Sequence, residues 1–237
     1  MAAIKVQQLV KNYGSLEAVK GISFEVQPGE IFGLIGPNGA GKTTVLRILS
    51  TLLTITSGSV DILSYDVATQ AGEVRKLISY LPEDAGAYKN LTGRAYLRFI
   101  ANFFRTQNPS EIVTRGIEIA DLGERIDDKV DTYSKGMKRR LLVGRALMTA
   151  PKLAILDEPT SGLDVLNAQE VRKIIQSTTQ QGTTILLSSH NMLEVEYLCE
   201  RIVLLAEGKI VEAGKPKDLM KKYTANNIEE VFTKVVQ

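Results

Sequence analysis

The stretch GPNGAGKTT, residues 36–44, has the residue types and the spacing of a phosphate-binding loop. Its glycines let the chain curl so that backbone N–H groups point into one concavity, and a following helix adds the partial positive charge of its N-terminus. Lys42 would reach the β- and γ-phosphates of a nucleotide and take part in catalysis, and the Thr43 hydroxyl would ligate Mg²⁺. A plain glycine-rich turn is the alternative. The predicted nucleotide-binding residues of the loop are Gly36, Pro37, Asn38, Gly39, Ala40, Gly41, Lys42, Thr43 and Thr44.

Two adjacent carboxylates end the apolar segment KLAILDEP, residues 152–159. If this segment is a strand of an open α/β sheet, its carboxyl end lies at the edge where such sheets bind ligands. Asp157 could hold Mg²⁺, directly or through water. Because successive strand side chains diverge, Glu158 would point elsewhere and could activate a water for attack on the γ-phosphate. A strand end made soluble by two charges is the alternative.

His190 is the single histidine, and it follows the apolar segment TILLSS. A lone histidine more often has a structural explanation than a functional one. Its position one strand–helix–strand unit after Glu158 nevertheless predicts that the sheet delivers both residues to the same edge. There His190 could hydrogen-bond the γ-phosphate or orient the attacking water.

The elements that must position these residues can be read from the hydrophobic pattern. IKVQQLV and GISFEV alternate as half-buried strands do, whereas IFGLIG, LAILDE and TILLSS are continuously apolar, as strands covered on both faces are. Only helical periodicity is found between about residues 91 and 150, which indicates a helical insertion into an α/β core. The segment VLLAEGKIVEAG predicts a hairpin that turns at Glu207 and Gly208, and two further helices are predicted after it.

Composition limits the classes of function. The 237 residues suit one domain or two, and the net charge of +2, from 29 basic and 27 acidic residues, provides no overall field for nucleic acid or anionic lipid. The single cysteine, Cys199, excludes an internal disulfide and suits a reducing cytosol. The N-terminus lacks the features of a signal peptide, and no apolar run reaches about 18 residues. We therefore expect a chain that does not cross a bilayer by itself.

Taken in order, Tyr13, GPNGAGKTT, LPED, YSKGM, LAILDEP, SGLD and SSH closely resemble the motifs of the ATP-binding subunit of ABC transporters, over about residues 4–214. The resemblance implies an α/β fold of the P-loop NTPase, ABC-ATPase type, with a mixed core sheet, a small antiparallel β subdomain and an inserted helical subdomain. The core and the β subdomain would span about residues 1–90 and 151–214, the helical subdomain about 91–150, and C-terminal helices 215–237.

The resemblance also implies residue roles. Tyr13 would stack on adenine, Thr43 and Asp157 would organise Mg²⁺, Glu158 would be the catalytic base, and His190 would sense the γ-phosphate. Two copies would close head to tail, so that each ATP lies between the phosphate loop of one subunit and the signature motif of the other. The SGLD loop, residues 161–164, would carry communication across that interface.

Two motifs depart from the pattern of the family. Glu83, in LPED, replaces the usual glutamine; it keeps an oxygen ligand for Mg²⁺ or water and adds a negative charge. YSKGM replaces the usual signature Leu-Ser-Gly-Gly-Gln, but Ser134 and Gly136 keep the positions that would contact the γ-phosphate held by the partner subunit. Together with the terminal NIEEVF, these variants resemble the exporter-type subgroup.

We therefore predict a subunit that binds and hydrolyses ATP to energise a separately encoded membrane permease, for export, at the cytoplasmic face of the cell membrane. The partner cassette could be identical or different, and no nucleic acid is expected. A soluble ABC-type ATPase acting as an assembly or regulatory module is the alternative. A P-loop kinase is a third class, but it leaves the signature motif and SGLD unexplained.

The basic stretch TYSKGMKRR, residues 132–140, divides into two parts under this interpretation. Ser134 and Gly136 become phosphate contacts at a helix N-terminus, whereas the three cationic residues Lys138, Arg139 and Arg140 form a solvated or interface face. Gly136→Asp should then abolish hydrolysis by placing a carboxylate against phosphate, and Arg139→Gln should do much less.

Overall fold

A computed structural model describes residues 1–104 and 108–236 of the chain. The strands are β1 Ile4–Tyr13, β2 Leu16–Val26, β3 Ile31–Ile35, β4 Ser57–Ile62, β5 Tyr65–Asp66, β6 Ile78–Leu81, β7 Leu153–Asp157, β8 Thr184–Ser189, β9 Arg201–Ala206 and β10 Lys209–Gly214. The α-helices are α1 Lys42–Leu49, α2 Ala71–Leu77, α3 Gly93–Ala101, α4 Pro109–Ala120, α5 Lys135–Leu147, α6 Val165–Gln180, α7 Met192–Leu198, α8 Pro216–Lys222 and α9 Ile228–Val236.

The strands of the described residues form two sheets. One is antiparallel, in the order β2-β1-β4-β5, and the other has the order β10-β9-β3-β8-β7-β6. In the second sheet β9, β3, β8, β7 and β6 run parallel, and β10 pairs antiparallel with β9. The prediction of a mixed core sheet beside a small antiparallel sheet is therefore confirmed.

The core sheet is covered on both faces, which explains its continuous apolar sequences. Every residue of β3, β7 and β8 is buried. Along β7, Leu153 and Ile155 belong to the cluster that contains α1 and the antiparallel sheet, whereas Ala154 and Leu156 belong to the cluster that contains α3, α5, α6 and the C-terminal helices. The alternation follows from the period of two of a β-strand.

The described residues between β6 and β7 contain helices α3, α4 and α5 together with two short 3₁₀ turns, Gly123–Asp127 and Val130–Thr132. The close crossing of α4 and α5 depends on Gly144, because a Cβ atom there would lie 2.7 Å from the carbonyl oxygen of Gly116. An isolated bridge between Thr92 and Lys129 is the one departure, among the described residues, from the helix-only prediction. The proposed subdomain boundaries stay a prediction.

The predicted hairpin and C-terminal helices are present. Glu207 and Gly208 join β9 to β10 with φ angles of 48° and 78°, the backbone of a type I′ turn. Helices α8 and α9 follow as expected, whereas the short elements β4, β5 and α2 are not predicted individually from the sequence. Among the residues that the structure describes, no helix combines the length and the apolar character needed to span a membrane.

Candidate nucleotide-binding site

The predicted phosphate loop joins the end of β3 to the start of α1, and two of its glycines are required by close backbone approach. A Cβ atom on Gly36 would lie 2.1 Å from the carbonyl oxygen of Leu205. Gly41 has a φ of 103°, and a Cβ atom there would lie 2.7 Å from the carbonyl oxygen of Ala18. Gly41 is also the N-cap of α1 and offers no side-chain acceptor to the first turn. Because the first N–H groups of a helix have no intrahelical partner, this end of α1 can bind an anion.

Lys42 is buried and bends back over the loop that precedes it. Its Nζ donates hydrogen bonds to the carbonyl oxygens of Gly36, at 2.8 Å, and Pro37, at 3.2 Å. The same ammonium lies 3.5 Å from Oε1 of Glu158. The loop and the end of β7 therefore meet at one cationic group, as the sequence predicts for a site at the carboxyl edge of a parallel sheet.

Asp157, the last residue of β7, is almost fully buried and is held from two neighbouring strands. The Ser188 hydroxyl donates to Asp157 Oδ1 over 2.5 Å, and the Tyr80 hydroxyl lies 3.5 Å from Oδ2. Burial, and secondly the charge of Asp157, raise the pKa of Tyr80 to about 12, so Tyr80 acts as a neutral donor. Neither Ser188 nor Tyr80 is predicted from the sequence as a site residue, although hydroxyls in an otherwise apolar strand require partners and are a usable signal.

Glu158 lies just beyond β7, with a positive φ of 49° that is unusual for a residue with a side chain. Its side chain contacts Lys42 and His190, whereas that of Asp157 contacts Ser188 and Tyr80. Its Oε2 lies 2.8 Å from Nδ1 of His190, a residue whose side chain is 46% exposed. The backbone N–H of Glu158 donates to Ser188 Oγ at 3.0 Å, so Ser188 ties both carboxylate residues to β8.

The loop and the end of β7 line a cavity of about 280 Å³. Asp157 is not among its lining residues, and His190 lies on an adjoining cavity of about 200 Å³ that shares Glu158. The side chain of Tyr13 is exposed at the mouth, with Lys11 Nζ 5.3 Å from its ring centre. The predicted site residues that line the cavity are Tyr13, Asn38, Gly39, Gly41, Lys42, Thr43, Thr44, Glu83 and Glu158.

Ser134 and Gly136 lie elsewhere, at the N-terminus of α5, and do not line this cavity. Ser134 is an exposed N-cap whose hydroxyl accepts from the backbone N–H of Met137 at 3.2 Å. Gly136 is buried against α6, where an added Cβ atom would lie 2.1 Å from Asn167 Oδ1. Gly136→Asp would therefore displace the Asn167 side chain whatever Gly136 binds, so loss of activity would not by itself demonstrate a phosphate contact.

Arg139 does not belong to a solvated face, and that prediction is wrong. Only 8% of its surface is exposed. Its guanidinium donates to the carbonyl oxygens of the three consecutive residues Asp157, Glu158 and Pro159 at 2.7–2.9 Å, and to that of Glu83 at 3.3 Å. Burial lowers the pKa of Arg139, against the opposing charges of Glu83, Asp157 and Glu158, but a guanidinium still remains protonated. The expectation that Arg139→Gln does much less than Gly136→Asp therefore loses its basis.

The fold and the site define a P-loop NTPase in which two carboxylates and a histidine share the carboxyl edge with the phosphate loop. The family model described as ABC transporter matches residues 19–161. Linearmycin resistance ATP-binding protein LnrL of Bacillus subtilis (strain 168) is 35% identical over 95% of this chain and 73% of its own length. Nod factor export ATP-binding protein I of Rhizobium etli (strain ATCC 51251) is 35% identical over 98% of this chain and 74% of its own length.

Solved structures agree with the family match. One described as the ATP-binding subunit of an ABC transporter superposes with a TM-score of 0.87 at 27% identity, covering 99% of this chain and 100% of that one. The chain therefore belongs to the ABC transporter family, and it is an ATP-binding and ATP-hydrolysing subunit. The recognition made from the motif order is confirmed.

Proposed function

We propose that this subunit hydrolyses ATP with Glu158 as the general base and with Lys42 and His190 as γ-phosphate ligands. The observation that carries the proposal is the position of the Glu158 carboxylate, which is buried between Lys42 Nζ at 3.5 Å and His190 Nδ1 at 2.8 Å. Two donors that converge on one anionic group can equally converge on a phosphate beside it. A carboxylate at that point is within reach of a water that attacks the γ-phosphate.

The rest of the cavity has the chemistry that ATP requires. The N–H groups at the start of α1 face the phosphate loop, and the ring of Tyr13 at the mouth can stack on adenine. For Mg²⁺, the donors are the Thr43 hydroxyl, the Glu83 carboxylate and, through water, the buried Asp157. Few protein oxygens suit this ion, because Mg²⁺ completes its octahedron with phosphate oxygens and waters. When bound, Mg²⁺ would neutralise charge that develops on the phosphates.

His190→Ala is expected to lower kcat for ATP hydrolysis about 10²-fold, at the lower end of effects for groups that assist proton transfer. The variant removes the only side chain that contacts Glu158 Oε2 in an ion pair within the described residues. Release of radiolabelled phosphate from γ-labelled ATP measures the rate. Lys173→Ala, which removes an exposed pair with Glu170 on α6, serves as the control, and unaltered turnover in His190→Ala would remove His190 from the mechanism.

We further propose that two subunits close head to tail over ATP, with Ser134 of one subunit facing the phosphates bound to the other. Ser134 supports this because it caps a helix N-terminus at an exposed position outside the cavity of its own chain. Beside the SGLD loop, Val165 and Leu166 are 77% and 74% exposed, an adjacent apolar pair that a partner subunit would cover. Gly136 would serve this interface through its packing against α6.

The partner in transport would be a separately encoded permease, with the subunit on the cytoplasmic face of the membrane. The names of the relatives, which include resistance and export ATP-binding proteins, support export as the direction. The permease would contact an exposed aromatic patch, defined as Tyr88, Phe99 and Phe103. Tyr88 and Phe103 each pack edge to face against Phe99 at 5.4 Å between ring centres. Exposed aromatic clusters of this kind are typical of protein interfaces.

Co-purification tests the transport role. The tagged chain, expressed in its own host and extracted in mild detergent, is expected to bring down a polytopic membrane protein. Phe99→Asp should lose that partner while the isolated subunit still hydrolyses ATP, because a charge cannot be buried unpaired in an apolar interface. Tyr197→Asp, at a more exposed aromatic on α7, should retain the partner. Recovery of soluble partners alone would favour the assembly or regulatory module instead.

A further inference from the structure

Arg139 is a buried cation whose hydrogen-bond partners at 3.3 Å or less are all backbone carbonyl oxygens. Nε donates to Pro159 at 2.7 Å, and Nη2 donates to both Asp157 at 2.9 Å and Glu158 at 2.7 Å. Nη1 donates to Glu83 at 3.3 Å. No proposed role in nucleotide binding or in catalysis involves this side chain.

The three consecutive carbonyls belong to the turn that gives Glu158 its positive φ of 49°. A non-glycine residue adopts this conformation only when its surroundings hold it there. Pro159 adds to the strain, because a residue before proline prefers extended backbone. On the other side of the turn, Ser188 Oγ accepts from the N–H of Glu158, so the backbone is fixed by β8 from one side and by Arg139 from the other.

We propose that Arg139 is a positioning residue that holds the Asp157–Glu158–Pro159 turn so that the Glu158 carboxylate stays between Lys42 and His190. A guanidinium suits this task because its planar fork reaches several acceptors at fixed angles, whereas a lysine ammonium is a point charge on a flexible stem. The inference rests on the proposed role of Glu158 as the base.

The contact with Glu83 extends the effect of Arg139 to a second segment. Glu83 follows β6, and its carboxylate lines the nucleotide cavity, while its carbonyl accepts from Arg139. Arg139 itself lies on α5, whose N-terminus carries Ser134. Hydrogen bonds from this one side chain therefore connect α5 to the turn that carries Glu158 and to the segment that carries Glu83.

The test is a comparison of Arg139→Gln with Arg139→Lys in the full chain, by steady-state ATP hydrolysis and by equilibrium binding of a fluorescent ATP analogue. Arg139→Gln is expected to lower kcat about 10- to 100-fold, the scale of a small displacement of a catalytic group, and to leave the analogue Kd within about threefold. Arg139→Lys should fall between the parent and Arg139→Gln. Arg140→Gln is the matched control, because Arg140 donates to the carbonyl of Asp121 at 2.8 Å, away from the site.

A double variant shows whether Arg139 acts through Glu158. In a Glu158→Gln background, Arg139→Gln should change the residual rate by less than about twofold, because residues that act as a unit are not additive. An additive loss, a parental kcat in Arg139→Gln, or an equal loss of analogue binding would each overturn the inference.

If Arg139→Gln does not fold, Arg139→Lys decides: parental kcat overturns the inference, and a lower kcat with unchanged Kd supports it. If Glu158→Gln alone keeps the parental rate, the proposed function fails instead.

Discussion

Glu158→Gln is expected to lower kcat for ATP hydrolysis about 10²- to 10⁴-fold, the range for loss of a general base. Glutamine keeps the shape of the side chain and an oxygen that can accept from His190 Nδ1, but it cannot take a proton from water. The affinity for ATP should be unchanged or higher, because the substitution removes a negative charge 3.5 Å from Lys42 and beside the predicted phosphate position.

Phosphate release from γ-labelled ATP measures the rate, and equilibrium binding of a fluorescent ATP analogue measures the affinity. Glu170→Gln is the matched control, since Glu170 pairs with Lys173 on the surface of α6. A parental rate in Glu158→Gln would show that the base has been assigned to the wrong residue. A loss of analogue affinity together with a loss of kcat would instead show that Glu158 maintains the conformation of the phosphate loop.

The convergence of Lys42, Glu158 and His190 could be predicted because three buried strands carry them. Continuous apolar sequences identify β3, β7 and β8, and the carboxyl ends of parallel strands share one edge of a sheet. Glu158 and His190 directly follow β7 and β8, and Lys42 ends the glycine-rich loop that follows β3. The hydrophobic pattern and the sheet topology are therefore sufficient to predict that these side chains meet.

Arg139 could not be predicted in the same way. In the sequence it stands in a run of basic residues, and helical periodicity describes only which face of α5 it occupies. Its acceptors are carbonyls of residues 83 and 157–159, which reach it only when the end of β7 and the segment after β6 pack on α5. Backbone carbonyls carry no sequence signal, so a charge that they stabilise cannot be distinguished from a solvated one before folding.

The left-handed backbone conformation of Glu158 also could not be predicted from the sequence. The triplet Asp-Glu-Pro predicts an extended residue before proline, yet the structure places Glu158 at a φ of 49°. Left-handed backbone at a residue with a Cβ atom costs about 1–2 kcal/mol. The hydrogen bond that the Glu158 N–H donates to Ser188 and the one that its carbonyl accepts from Arg139 compensate for that cost. Strain that distant elements support is a property of the assembled fold.

Lys42→Ala is expected to reduce both ATP affinity and hydrolysis, in contrast to Glu158→Gln. The ammonium is the buried cation next to the phosphate loop, and removal of one preorganised donor to developing charge costs about 10²- to 10³-fold in kcat. Affinity should fall as well, because the same group contacts the bound phosphates in the ground state. The two variants therefore differ in the Kd for the ATP analogue, which rises only for Lys42→Ala.

Loss of the loop conformation is the competing explanation for Lys42→Ala, because Lys42 Nζ also donates to Gly36 and Pro37. Lys42→Met keeps most of the aliphatic stem but, like Lys42→Ala, lacks the donors to Gly36 and Pro37, so the melting temperature of the nucleotide-free variant is what separates the two explanations. Equal losses of analogue binding in both variants, with the melting temperature of Lys42→Met near that of the parent, would assign the effect to the ammonium. Lys76→Ala, which removes only an exposed pair with Glu73, is the control. Parental ATP affinity in Lys42→Met would contradict a phosphate contact, because this variant has no ammonium.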